Sequence, residues 1–385
     1  MSTVRIEKLV FGGYGLGRDD DGVVLIPGVA PGEVVGYEED GAQGGTRVGR
    51  AVRIIEKSPH RREPPCRHYG ECGGCDWLYL SYDEQVRCKK EIFLDCVDRI
   101  GKFPRLDDVE VLTAEEFGYR IRAQIKIDRQ NNHAGFFKRK TNDVVKIKRC
   151  PLLADGINDV LEALNAGKVG AVSKEAKDLR VLMGERVASC PCVGGLTSAD
   201  TEIVVGDIRF LADGGSFFQS NQFLLEALGR WARGDTGGEY CLDLYGGIGF
   251  FSLMLADDFS KIVLVENVRA QVQAAERNFR HNGKDHLKAV PADVEKGGYL
   301  DKLIKPKRPD CIIVDPPRPG LVKSVRRWLI DTAPETILYV SCNPSTFARD
   351  AGALINGGYE LSRWALFDLY PNTHHMESAA IFCLG

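Results

Sequence analysis

Short, wholly apolar runs recur through the second half of the chain: Cys241-Leu242-Asp243-Leu244, Ile262-Val263-Leu264-Val265, Ala289-Val290, Cys311-Ile312-Ile313-Val314 and Ile337-Leu338-Tyr339-Val340. Runs that do not alternate with polar residues suit strands covered on both faces. The segments between them carry helical periodicity, so residues 216–385 are expected to form an α/β domain with right-handed crossovers and a doubly wound sheet. The first half reads differently. Ile121, Ala123, Ile125 and Ile127 alternate with Arg120, Arg122, Gln124, Lys126 and Asp128, the pattern of a half-buried strand with a basic outer face, and Lys146-Ile147-Lys148 repeats it. Residues 58–215 are therefore expected to form a central, mostly antiparallel β-rich domain, with a helix at 156–165. Residues 1–57 hold short apolar runs, such as Val23-Val24-Leu25-Ile26-Pro27, between glycine turns, which predicts a five-stranded barrel of the oligonucleotide-binding type. A helix is expected over 81–100, with Ser81 and Glu84 as a capping box and Val86, Ile92, Phe93, Cys96, Val97 and Ile100 as its apolar stripe.

Composition narrows the setting. Of 385 residues 44% are hydrophobic and 27% charged, ordinary for a globular protein. There is no apolar run long enough to cross a membrane and no apolar signal core at the N-terminus, so a cytoplasmic protein, expected to be a monomer, is anticipated. Net charge is −3, which argues weakly against nucleic acid. Its distribution argues the other way: from Arg120 to Arg149 ten Lys or Arg face two Asp. Such a patch binds phosphates by releasing counterions; the alternative is a solvated strand face.

Twelve cysteines are many for a reducing compartment. Cys66, Cys72 and Cys75 fall within ten residues, with Gly73-Gly74 allowing a tight wrap, and Cys150 is available as a fourth thiol. Four thiolates suit a [4Fe-4S] cluster or zinc. Cys190 and Cys192 receive no assignment.

The reactive groups gather where the apolar runs end. Asp243-Leu244-Tyr245-Gly246-Gly247-Ile248-Gly249-Phe250 is a glycine-rich strand-to-helix turn, and Glu266 closes the next run 23 residues after Asp243. Carboxylates at that spacing accept hydrogen bonds from ribose hydroxyls, and Asp293 could meet an adenine amino group. This favours S-adenosylmethionine over NAD, with a Rossmann-like oxidoreductase as the alternative. Asp315-Pro316-Pro317-Arg318 is a candidate substrate clamp. Ser341-Cys342-Asn343-Pro344 offers a nucleophile. A thiolate suits pyrimidine methylation, because sulfur added at C6 makes C5 nucleophilic. A base must then remove the C5 proton, and Glu377 is the candidate. His374 and His375 rank behind it.

Taken in order, the glycine-flanked cysteine loop, Phe218-Gln219-Ser220-Asn221-Gln222, Asp315-Pro316-Pro317-Arg318, Ser341-Cys342-Asn343-Pro344 and Thr373-His374-His375-Met376-Glu377 resemble the TRAM-domain RNA uracil-5-methyltransferase family over nearly the whole chain. The resemblance implies a Rossmann-like class I methyltransferase domain behind an N-terminal TRAM barrel. It implies Cys342 as nucleophile and Glu377 as base. Gln219, Tyr245, Glu266 and Asp293 would line the S-adenosylmethionine site, with Asp315 between cofactor and uracil. Cys66, Cys72, Cys75 and Cys150 would hold a [4Fe-4S] cluster of structural role. The barrel and cysteine loop resemble those of ribosomal enzymes, making 23S ribosomal RNA the expected partner and transfer RNA the alternative. Two competing readings are methylation of a purine nitrogen through the Asp-Pro-Pro turn, and a non-catalytic RNA-binding factor.

Overall fold

A computed structural model describes residues 2–385 apart from 107–108, 168–171, 174, 194–195, 198, 235, 297 and 306. Strands β1 (Ser2–Val10), β2 (Tyr14–Asp19), β3 (Gly22–Pro27), β4 (Val34–Gln43) and β5 (Thr46–Glu56) close into a barrel in the order β1-β2-β3-β5-β4. Val4, Ile6, Val24, Ile26, Val35 and Tyr37 fill it.

Helix α1 (Tyr82–Cys96) follows, then a π-helical turn Val97–Gly101, so the α-helix expected over 81–100 is shorter than its periodicity suggested. The expected capping box does not form. Ser81 occupies the N-cap position without a side-chain bond, because both Glu84 carboxylate oxygens accept from Arg87 instead. The apolar face of α1 packs on the C-terminal sheet domain, with the Phe93 ring 5.2 Å from Phe347 and 5.4 Å from Trp364; Ile100, expected in that stripe, is exposed.

Strand β6 (Glu110–Leu112) leaves to join the C-terminal sheet. The central region consists of β7 (Arg122–Asp128), β8 (His133–Phe137), β9 (Val144–Lys146), α2 (Asp155–Asn165), β10 (Asp178–Met183) and β11 (Val187–Cys190), paired antiparallel in the order β11-β10-β7-β8-β9, followed by the hairpin β12 (Thr201–Val205) and β13 (Ile208–Ala212). Along β7, Ala123, Ile125 and Ile127 are buried while Gln124 is exposed and Arg122 and Lys126 are half-buried, as alternation requires.

The C-terminal domain runs α3 (Leu225–Arg233), β14 (Gly238–Leu244), α4 (Phe250–Met254), β15 (Phe259–Glu266), α5 (Arg269–His281), β16 (Leu287–Pro291), α6 (Leu300–Leu303), β17 (Cys311–Val314), α7 (Lys323–Thr332), β18 (Thr336–Ser341), α8 (Pro344–Asn356), β19 (Tyr359–Phe367) and β20 (Glu377–Leu384). The five apolar runs are β14 to β18, all parallel. Sheet order is β16-β15-β14-β17-β18-β20-β19-β6, with β20 antiparallel to both neighbours. Strand order reverses between β14 and β17, the point where such sheets bind ligands. Among the described residues no helix is long and apolar enough to cross a membrane.

Candidate active site

Five parallel strands deliver their C-terminal ends to one edge. Tyr245-Gly246-Gly247 follows β14, Glu266 ends β15, Asp293 follows β16, Asp315 follows β17 and Cys342 follows β18. Strand β20 runs the other way, so its first residue, Glu377, reaches the same edge. The register pairs Ser341 with Ser378; one step further along each strand brings Cys342 opposite Glu377. All eleven residues singled out from the sequence line a single cavity of about 1270 Å³ at this edge.

The turn after β14 needs its glycines. Tyr245, Gly247 and Gly249 all have positive φ, and a Cβ on Gly246 would stand 2.4 Å from the Leu264 side chain. Glu266 holds the turn: its carboxylate accepts from the Gly247 N–H at 3.2 Å and the Val268 N–H at 2.8 Å. Asp293 accepts from the Glu295 N–H, which keeps its carboxyl below the usual range. Two polar atoms on the cavity wall, Gln219 Oε1 and Tyr245 OH, are buried without a partner. Buried orphans of this kind are costly unless a ligand satisfies them, and with the glycine cradle they suit a nucleoside-bearing cofactor.

The Asp-Pro-Pro turn is stitched to the nucleophile turn. Asn343 caps α8 by accepting from the Ser345 N–H at 3.0 Å, and its Nδ2 donates to Arg318 O at 3.1 Å. Below them the fully buried Asp350 accepts from Tyr339 OH and the Leu321 N–H, each at 2.8 Å, and from Arg326.

The carboxyls here are crowded and dry. Burial pushes Asp243 up to about 7 even though Ser252 donates to it twice. Burial, and then Asp243, push Asp315 up to about 7. Burial, and then Asp315, raise Glu377 well above the carboxylate range. The Cys342 thiol goes up to about 12, first through burial and then through Glu377 and Asp315, with Arg318 opposing. Both shifts favour the protonated forms of nucleophile and base in the free chain.

The segment carrying Glu377 is fastened by residues that no motif marked. Lys89 Nζ on α1 bonds buried Asp368 at 2.6 Å and Tyr370 O at 3.0 Å. Gln85 and Arg62 donate to Asn372 Oδ1, and the Asn372 N–H donates to Gln85 Oε1 at 2.7 Å. His374 Nδ1 lies 2.6 Å from Asp76 Oδ2, and the other Asp76 oxygen accepts from Arg139 at 2.7 Å. Phe11 of the barrel packs edge-on against His374, ring centres 5.4 Å apart. His375 is pushed down to about 3 by burial, His374 and Arg318, which leaves it neutral. A lysine and a glutamine inside a helix, and a distant aspartate, carry no local signal of this role.

Cys66, Cys72, Cys75 and Cys150 line the far end of the cavity as free thiols. Burial raises the Cys75 thiol, with Cys150, Cys72 and Cys66 as further causes. Among the described residues, however, no three metal-ligating side chains are drawn together into a closed site.

Fold and chamber define a class I methyltransferase with a small N-terminal β-barrel. Comparison with known proteins narrows this. Residues 199–383 match the model of the tRNA (uracil-5-)-methyltransferase family. An uncharacterized RNA methyltransferase of Aquifex aeolicus is 31% identical over 98% of this chain and 97% of its own. The 23S rRNA (uracil(1939)-C(5))-methyltransferase RlmD of Shewanella amazonensis is 30% identical over 99% and 95%. The crystal structure of Pyrococcus abyssi tRNA (uracil-54, C5)-methyltransferase in complex with S-adenosyl-L-homocysteine superposes with a TM-score of 0.77 at 25% identity, covering 99% of this chain and 100% of that one. The chain belongs to the RNA uracil-5-methyltransferase family, and it is an enzyme of that class.

Proposed function

We propose that the protein methylates C5 of a uridine in 23S ribosomal RNA through a covalent adduct on Cys342, with Glu377 as the base. The observation that carries this reading is the β18–β20 register, which sets a thiol against a carboxyl in one cavity. The target base must leave its stack to enter, at a cost of about a few kcal/mol. The Cys342 thiol passes its proton to solvent, the thiolate adds to C6, and the electron pair of the C5–C6 double bond makes C5 nucleophilic. S-adenosylmethionine, when bound, supplies the electrophilic methyl group that C5 takes up. Glu377, having lost its own proton to solvent, takes the C5 proton as a carboxylate, the C5–C6 double bond re-forms, and the C6–S bond breaks to release the thiolate, which regains a proton from solvent. A carboxyl raised by burial is a stronger base once ionised, which suits this removal. Gln219, Tyr245, Glu266 and Asp293 would hold the cofactor, and Asp315 would stand between it and the base.

For the four thiols a [4Fe-4S] cluster of structural role is the reading we favour. The donor set fits, and the cluster would tie the loop at 66–75 to Cys150 beside the central sheet. The barrel, read as a TRAM module, would hold flanking RNA.

The likeness to the Shewanella enzyme supports ribosomal RNA, whereas the Pyrococcus likeness favours a second reading, the same chemistry on transfer RNA. Labelled methyl transfer to unmodified transcripts of both RNAs, with nucleoside analysis, separates them. Glu377→Gln is expected to lower turnover by about 10²–10⁴-fold and to accumulate a denaturation-stable RNA–protein adduct. Cys342→Ala should form none. Full methylation by Cys342→Ala, or label on a purine, would sink the covalent uracil mechanism.

A further inference from the structure

At the cavity mouth three arginines stand together without a counter-ion. Arg120 and Arg122 line the cavity. Arg180 lies on the neighbouring strand, paired in register with Gln124 and so diagonal to Arg122. Among the described residues none of the three makes an ion pair, although most guanidinium groups elsewhere in the chain find a carboxylate within 4 Å (for example Arg47, Arg61, Arg62, Arg139 and Arg149). They are aimed by neutral groups instead. Arg122 Nε donates to Ser216 O at 3.1 Å, with the guanidinium 5.4 Å from the Phe217 ring centre, and Arg120 Nε donates to Arg122 O at 3.1 Å. Beside Ser216, Asp213 Oδ1 accepts from the Gly215 and Ser216 N–H groups and from Ser216 Oγ. Burial, with Arg120 and Arg180 as neighbouring cations, holds the Arg122 guanidinium below its usual range.

Three like charges kept together, two of them half-buried and aimed by carbonyls, raise the energy of the free protein. An anion at that point relieves it. Guanidinium groups suit phosphate because they bind it through paired N–H donors. Arg120 and Arg122 line the same cavity as Tyr370, Cys342 and Glu377.

We propose that Arg120, Arg122 and Arg180 form a phosphate-binding subsite that grips the RNA backbone beside the target uridine and holds the strand while the base enters the cavity. This subsite rests on the uridine reading only for what the cavity contains; its ligand is RNA phosphate whichever base reacts.

The test is RNA affinity of the full-length protein as a function of salt. Arg122→Gln, Arg180→Gln and the charge-keeping Arg122→Lys are compared on a labelled large-subunit ribosomal RNA transcript, with a transfer RNA transcript in parallel. Each glutamine variant should bind more weakly and lower the slope of log Kd against log salt by about one, while Arg122→Lys keeps the wild-type slope. Affinity for S-adenosylhomocysteine, by calorimetry, should not move. Arg180 is exposed, so its variant reports even if Arg122→Gln fails to fold. Wild-type slopes in both glutamine variants would overturn the proposal. So would weakened S-adenosylhomocysteine binding with RNA slopes intact, because the cluster would then serve the cofactor's carboxylate. A slope change in a protein that makes no 5-methyluridine would leave the phosphate subsite standing and remove the uracil reading.

Discussion

At Asp315 position in the fold, more than residue type, decides the chemistry. A carboxyl at the end of a buried strand, beside Asp243 and Glu377, is pushed up to about 7 from its ordinary value of 3.8. Between those values the folded chain binds more protons than the unfolded one, so this group favours folding at low pH and loses that contribution as pH rises through about 7. One such carboxyl changes stability by at most about 1.4 kcal/mol per pH unit in that window. Asp315→Asn is therefore expected to raise the urea midpoint at pH 8 relative to wild type while the two converge near pH 4. Equal midpoints at both pH values would mean that Asp315 is not held above its ordinary range. The same dryness explains why Cys342 is a protonated thiol in the free chain: nothing cationic but Arg318 opposes its burial.

Elements matter here for what they carry to the sheet edge. The Ser341–Pro344 turn was legible because its parts act locally: Asn343 caps and Pro344 begins α8. The expected Ser81–Glu84 box was equally local, yet a closer guanidinium captured Glu84. Helix α1 acts on the site through one buried ion pair, Lys89 with Asp368, each side chain no more than 3% exposed. Removing one partner of such a pair strands the other charge, at about 3–5 kcal/mol, whereas replacing both with apolar groups is often near neutral. Lys89→Met should lower unfolding free energy by that order, and the double variant with Asp368→Leu should regain most of it. A double variant no better than the single one would show that the pair is not coupled. In either form turnover should remain reduced, because Tyr370 O loses its donor.

Across the whole molecule, cysteine loop, central sheet and catalytic sheet line one cavity, and the barrel reaches its wall through Phe11 against His374. Phe11, Asp76, Arg139 and His374 come from four separate parts of the chain and contact in series. Loosening that junction should therefore be felt at the catalytic turn. Asp76→Ala is expected to speed amide exchange across 372–377, read by mass spectrometry, with exchange in β14 to β16 unchanged. No change at 372–377 would mean that Gln85 and Lys89 alone hold the turn.

The sequence by itself determined the elements and the reacting groups. Five apolar runs specified five parallel strands, and the residues just beyond each run supplied the site, because strand burial and turn chemistry are written in neighbouring residues. It did not reveal that β20 runs antiparallel beside β18, that α1 braces the segment from Asp368 to Glu377, or that Arg120, Arg122 and Arg180 lie together with no ion pair among the described residues. Those depend on which strands become neighbours and which carboxylates are already engaged, and such long-range pairings leave no periodic mark along the chain. Tertiary structure alone decided that Cys342 faces Glu377 in a space dry enough to shift both.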